Sequence, residues 1–241
     1  MAKAKDIIIK PITASAANKF CKRYHYSGKV VPNSVLHFGV FLNDRLEGVM
    51  QLGSPINKKG TIRLVKDTAW NDMLELNRMA FSERLPKNSE SRAIGVLMRL
   101  IRKRYPNIEW IVSFADGTQC GDGTIYRASG FVLTDIRKSD ALRINPKTNE
   151  VMHVIQAHHL MISKEFRTWE ATQGYQLRYV YFINKDAKER LTVPVLPFSK
   201  IDEMGAGMYK GKARKKQAMD DSPSSQRRRD TDLSAPKSET F

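Results

Sequence analysis

The stretch Ser113-Phe114-Ala115-Asp116-Gly117-Thr118-Gln119-Cys120-Gly121-Asp122-Gly123-Thr124-Ile125-Tyr126-Arg127-Ala128-Ser129-Gly130-Phe131 decides how the chain folds. The apolar run from Trp110 to Ala115 has the length of a buried strand. It ends in a loop holding Asp116, Asp122 and three glycines, which reads as strand, exposed loop, short helix. Gly130 then closes the helix as a left-handed cap and Phe131 opens the next strand, which predicts that Asp116 and Tyr126 lie close together. A carboxylate and a phenol would converge at a strand end, where sites form. The alternative is that Asp116 caps the loop and Tyr126 packs.

Upstream, Ser89, Glu90, Ser91 and Arg92 open the clearest helix, with Ile94, Leu97, Met98, Ile101 and Tyr105 as its apolar stripe and Pro106 as its stop. Its free N–H groups, with Ser89, Ser91 and Arg92, would suit a phosphate. Before it, Leu74 to Phe81 reads as a strand. Strict alternation puts Leu74, Leu76, Arg78 and Ala80 on one face, so Arg78 requires an anionic partner, a carboxylate of the chain or a bound phosphate. Leu36–Leu42 and Glu47–Gly53 form an antiparallel hairpin around Asn43-Asp44-Arg45-Leu46. Near the start, Ile7-Ile8-Ile9 is a strand and Ser15 caps a helix with Ala17, Phe20, Cys21 and Tyr24 inward. Gly28 stops that helix, leaving His25 and Tyr26 at its end, where titratable aromatics suggest chemistry.

Downstream, Phe131–Ile136, Val151–Gln156 and Arg178–Ile183 read as strands. His153, His158 and His159 lack a spaced carboxylate or thiol that would make them a metal site. The composition changes at residue 202, dividing a folded domain, 1–201, from a basic tail, 202–241, that carries too few apolar residues to bury a core. The tail is expected to be disordered and to act as a tether to a DNA backbone or as a solubilising arm.

The 241 residues carry 41 Lys and Arg against 25 Asp and Glu, a net charge of +16 that implies a polyanionic partner, nucleic acid before an anionic membrane surface. No apolar run has the length of a membrane span and no secretory signal opens the chain, so a cytoplasmic protein is expected. Cys21 and Cys120 show no metal spacing and are expected to be free thiols.

The order of elements resembles the GCN5-related N-acyltransferase fold, an α/β (α+β) architecture with a mixed, mostly antiparallel sheet flanked by helices. More specifically, Tyr24-His25-Tyr26-Ser27, Glu75-Leu76-Asn77-Arg78, and Ser113–Thr118 running to Ile125–Phe131 resemble the Mom DNA-modification proteins of Mu-like phages. The resemblance covers roughly residues 5 to 185. It implies an enzyme that converts adenine in double-stranded phage DNA to its N6-carbamoylmethyl form, in the host cytoplasm, shielding the DNA from restriction enzymes. It also implies functional roles for His25, Arg78, Ser91, Asp116 and Tyr126, and an iron ion with His25 and Asp116 as first ligands to test. Asn88-Ser89-Glu90-Ser91-Arg92-Ala93-Ile94-Gly95 departs from the Gly-rich phosphate loop of the acyltransferases, which counts against coenzyme A.

On this reading Tyr26 stacks on an extruded adenine, Asp116 or His25 accepts the N6 proton, Arg78 holds a carbonyl or phosphate and Tyr126 donates to the leaving group. The acyl donor is acetyl coenzyme A or an activated glycine such as glycyl-tRNA, with transfer RNA then a further partner. Two other classes remain open: a catalytically inert basic DNA-binding protein, and a protein N-acetyltransferase. Oligomeric state is not legible, a dimer being one option.

Overall fold

The computed structural model describes residues 2–117, 123–139, 142–149, 151–172, 174–209 and 212–213. In chain order the elements are β1 (Ile8–Pro11), α1 (Ala14–Tyr24), β2 (Ser34–Leu42), β3 (Arg45–Gly53), α2 (Lys58–Thr61), β4 (Met73–Phe81), α3 (Ser89–Arg104) and β5 (Trp110–Asp116). They continue with α4 (Thr124–Ala128), β6 (Val132–Ser139), β7 (Leu142–Ile144), β8 (Val151–His153), α5 (Val154–His159) and α6 (Ser163–Phe166). The last are β9 (Glu170–Ala171), β10 (Gly174–Phe182), α7 (Asp186–Glu189), α8 (Ser199–Glu203), β11 (Met208–Tyr209) and β12 (Lys212–Ala213).

A seven-stranded sheet of order β1-β2-β3-β4-β5-β10-β6 forms the body of the protein. All of its pairings are antiparallel except β4 with β5. This is the mixed, mostly antiparallel sheet flanked by helices that the resemblance to the acyltransferase fold implies. The β2–β3 turn places Asn43 and Asp44 at φ of 49° and 57°, the left-handed pair that a two-residue hairpin demands and that Asn and Asp tolerate best. On one face α3 buries Ala93, Ile94, Leu97, Met98 and Ile101 against Met50, Leu52, Leu76 and Ile111. On the other, α1 buries Ala17, Phe20 and Cys21 against Val49 and Ala80.

Three local expectations change. The cap of α1 is Thr13, whose Oγ1 accepts the Ala16 N–H at 3.2 Å, in place of Ser15. The expected strand Val151–Gln156 pairs with β7 only through His153 and then becomes α5, because Ala157 packs on Phe166 and Trp169 in a small separate cluster. The last long strand starts earlier than Arg178, at Gly174, where β6 and β5 already flank it.

Packing continues beyond residue 202. Ala206 is fully buried with Ile201, its N–H donates to Ile201 O at 2.8 Å, and Tyr175 Oη donates to Met204 O at 2.9 Å. The expectation of a disordered tail falls, from residue 214 onward, outside the described residues, as does the thiol of Cys120. Cys21 is a buried free thiol. Among the described residues no helix is long and apolar enough to cross a membrane.

Candidate active site

The site is shaped by one irregularity in β4. Gln51 of β3 pairs with Arg78 and Leu52 pairs with Leu76, so Asn77 is an extra residue without a partner, a β-bulge. Leu74 and Leu76 before it, and Met79 and Phe81 after it, all face the α3 core. Glu75, Arg78 and Ala80 consequently share the opposite face, under α1. The expected alternation, with Arg78 beside Leu74 and Leu76, fails at this extra residue; only its pairing with Ala80 survives.

His25 is the C-cap of α1, its N–H donating to Cys21 O at 2.9 Å, and Gly28 at φ 60° turns the chain back with its N–H on His25 O at 2.8 Å. Glycine takes this left-handed conformation without strain. His25 Nδ1 accepts the Ser27 N–H at 3.1 Å and lies 2.8 Å from Ser27 Oγ. A backbone donor at Nδ1 leaves the ring proton on Nε2. Burial, reinforced by the Arg78 guanidinium, pushes the imidazole down to about 4. At neutral pH His25 is therefore an uncharged ring and an Nε2–H donor. Tyr26 tilts against it at 4.3 Å between centroids, with 58% of its surface exposed.

Arg78 meets no carboxylate within ion-pair distance among the described residues. Backbone carbonyls hold it instead, Nε–H on Lys29 O at 3.3 Å and Nη1–H on Asn77 O at 3.2 Å. Glu75 is a residue that the sequence pattern does not single out. Burial pushes its carboxyl up to about 7, against a smaller downward pull from Arg78. The available signal was an acid and a base flanking Leu76-Asn77 in an otherwise apolar strand; three residues apart, they share a face only through a bulge.

A polar network backs the bulge from β3. The Cys21 thiol donates to Gln51 Oε1 at 3.3 Å, and Gln51 Nε2 donates to Asn18 Oδ1 at 3.0 Å and to His37 Nδ1 at 2.9 Å. Ser34 Oγ donates to Asn77 Oδ1 at 2.9 Å. Burial raises the Cys21 thiol and lowers His37, so both stay neutral. The strand position opposite Arg78 is thereby fixed without a further charge.

Beside the bulge the sheet splits. β4 and β5 pair only at Met73–Trp110, Leu74–Ile111 and Glu75–Val112 and then diverge. Ser113 Oγ bridges the start of the gap, donating to Leu76 O at 2.9 Å and sharing a hydrogen bond with Tyr126 Oη at 3.0 Å. Tyr126 is buried, stacked on Tyr179 at 4.4 Å and edge-on to Phe131. Asp116 ends β5 opposite Gln176, with the strand parity of Val112, which packs on the face away from α3. Asp116 and Tyr126 thus lie on opposite faces of β5. Gly123, at φ 69°, returns the chain to α4 where a Cβ would strike Tyr179 Oη.

At the N-terminus of α3, Asn88 takes a left-handed conformation (φ 68°). Ser91 Oγ donates to Asn88 O at 3.2 Å and Arg92 Nη2 reaches Lys5 O at 3.4 Å, while the buried Ser89 Oγ has no hydrogen-bond partner among the described residues. As for iron, the described residues contain no group of three or more His, Cys, Asp or Glu able to hold a metal. His25 has Nδ1 committed to Ser27 and a guanidinium close enough to depress its basicity, a field that opposes a cation. Among the described residues, His25 does not fit the ion.

The profile of the Mom protein family matches residues 6–200. The methylcarbamoylase mom of Escherichia phage Mu is 35% identical over 199 residues, covering 78% of this chain and 80% of that protein. Among solved structures, the ribosomal-protein-S18-alanine N-acetyltransferase of Escherichia coli aligns with 74% of this chain and 94% of its own at 11% identity and a TM-score of 0.45. The polyamine N-acetyltransferase of Drosophila melanogaster aligns with 73% of this chain and 100% of its own at 8% identity and the same TM-score. The matched residues 6–200 include His25, Glu75, Arg78, Asp116 and Tyr126, and the chain belongs to the Mom protein family.

Proposed function

We propose that this protein is a DNA-modifying transferase that converts adenine to N6-carbamoylmethyladenine, a reading supported by its membership of the Mom family and its similarity to the methylcarbamoylase of phage Mu. The observation that carries the reading is Arg78, a half-buried cation held by carbonyls and met by no carboxylate among the described residues, beside a carboxyl at about 7 and a neutral imidazole. A charge kept unpaired in this way costs stability, which favours catalysis over an inert DNA-binding protein.

The adenine amino group is paired inside a duplex, so the base must be extruded, and the exposed ring of Tyr26 offers it a stacking partner. Glu75 accepts the N6 proton. Its acidity matches the working pH, whereas His25 is too weak a base and donates from Nε2 instead. Arg78 holds the carbonyl oxygen on which negative charge develops. From the other side of the gap Tyr126 supplies a proton to the leaving group and Asp116 receives a cationic group of the donor. Ser89, Ser91 and Arg92 hold the donor's phosphate.

Simple acetylation would attach a carbonyl carbon to N6, whereas a carbamoylmethyl group attaches a methylene and ends in an amide. An activated glycine, carried as an ester on transfer RNA or a thioester on coenzyme A, resolves the mismatch. N6 attacks its carbonyl, the carrier leaves as hydroxyl or thiol, and a glycyl amide forms. The glycyl amine then adds to C6 through a five-membered ring, the bond from C6 to the original nitrogen breaks, and that nitrogen, taking a proton, becomes the terminal amide.

Nucleosides from plasmid DNA coexpressed with the protein should contain the modified adenine. In cells fed glycine labelled at nitrogen and both carbons, label should enter both side-chain carbons and the ring-bound nitrogen, with the terminal amide unlabelled. Label from acetate instead would restore the acetyl donor, and absence of the modified base would refute the function.

The residues from 214 onward carry two basic clusters, Arg214-Lys215-Lys216 and Arg227-Arg228-Arg229, so removing them should weaken binding to duplex DNA and flatten the dependence of affinity on salt, with the melting temperature unchanged. An unchanged salt slope would show that the tail does not touch phosphate. Truncation at 202 would instead remove the buried Ala206 and destabilise the fold.

A further inference from the structure

Ile56 is 93% exposed, although the chain around it is firmly held. Pro55 before it is buried, the Ser54 N–H donates to Asn33 O at 3.3 Å, and Asn33 Nδ2 donates back to Ser54 O. After it, Asn57 Oδ1 caps α2 through the Gly60 N–H at 3.1 Å and Thr61 Oγ1 donates to Asn57 O at 2.8 Å. A β-branched side chain on a fixed tip with nothing covering it buries little apolar area, so folding gives no reason for its hydrophobicity.

Its surroundings do. Lys58 and Lys59 follow after Asn57, Lys58 Nζ lies 4.6 Å over the ring of Trp70, itself 52% exposed, and Arg63 and Lys66 are exposed on the same segment, against Asp67 and Asp72. An apolar point in a cationic surround matches a duplex whose phosphates meet the cations while the point enters the base stack. The loop leaves β3 at Gly53, which pairs with Glu75 across the sheet. Three extended residues span at most ~10 Å, so the tip stands within a nucleotide's reach of Glu75.

We infer that Ile56 is a wedge that enters the DNA duplex at the position the target adenine vacates, with Lys58 and Lys59 on the flanking phosphates. The inference rests on the adenine-transfer reading above. Extruding a base leaves a hole in the stack, and filling it with an isoleucine side chain holds the duplex open while the adenine stays in the site.

The test uses the full-length protein and short DNA duplexes in which 2-aminopurine, whose fluorescence rises when it leaves the stack, stands between every pair of neighbouring bases in turn. The native protein should raise the signal several-fold in its preferred contexts. I56A should reduce that rise at least about five-fold and I56D abolish it, while affinity for single-stranded DNA, read by anisotropy, stays within about two-fold of native. Placing the 2-aminopurine opposite an abasic site, where unpairing is already achieved, should restore the I56A response. A native-sized rise with I56A, no rise with the native protein in any context, or an equal loss of affinity for single strands and duplexes would each overturn the wedge. These readouts need no acyl donor, so they separate failure of the wedge from failure of the transfer chemistry, which the nucleoside analysis measures.

Discussion

Arg78→Met should lower modification by about a hundredfold to a thousandfold, the range for removing one donor that stabilises a developing oxyanion, while leaving the melting temperature within a few degrees of native. The separation follows from how Arg78 is held: its partners are the Lys29 and Asn77 carbonyls, with no ion pair to break among the described residues. Lysine should not rescue it, because a point charge cannot keep those carbonyls and also grip a planar acyl group. The substitution should also shift its neighbours. Arg78 depresses both His25 and Glu75, so in its absence His25 should titrate above about 4, measured by NMR of the ring protons, and Glu75 above about 7. Unchanged titrations with lost activity would mean that Arg78 does not stand beside these groups.

Glu75→Gln should give the second large effect, and in two directions. As base, its loss should cost about a hundredfold to ten-thousandfold in kcat, and the rise in rate that the native enzyme shows through pH 7 should vanish. Stability should move the other way. A carboxyl raised from 4.5 to about 7 stabilises the fold fully only below its unfolded value, and that contribution is lost as the pH rises towards 7. Glutamine has no proton to lose. The variant should therefore melt above the native protein at pH 8, by up to about 3 kcal/mol, since each tenfold change in acidity between the folded and unfolded chain is worth roughly 1.36 kcal/mol, and the difference should close near pH 4. A variant that melts below native at pH 8 would place Glu75 in a stabilising ion pair. One that keeps both its rate and its pH profile would remove it from the reaction.

The legible parts of this protein are those written in short-range pattern. The apolar run to Ala115, the stripe from Ile94 to Ile101, the Asn43–Asp44 turn and the Gly130 cap each follow from residues within a few positions, because periodicity and left-handed backbone are local properties. The side chains of His25 and Asp116 were likewise legible as polar groups at the ends of such elements. Tertiary structure decided what those elements do to one another. Which face carries Arg78 depends on a bulge, an extra residue that exists only relative to the register of β3. The gap in the sheet depends on β5 leaving β4 after Glu75, an event with two strands in it. The acidity of Glu75 depends furthest of all on the fold, because desolvation is set by what surrounds a group in space, which no spacing along the chain records.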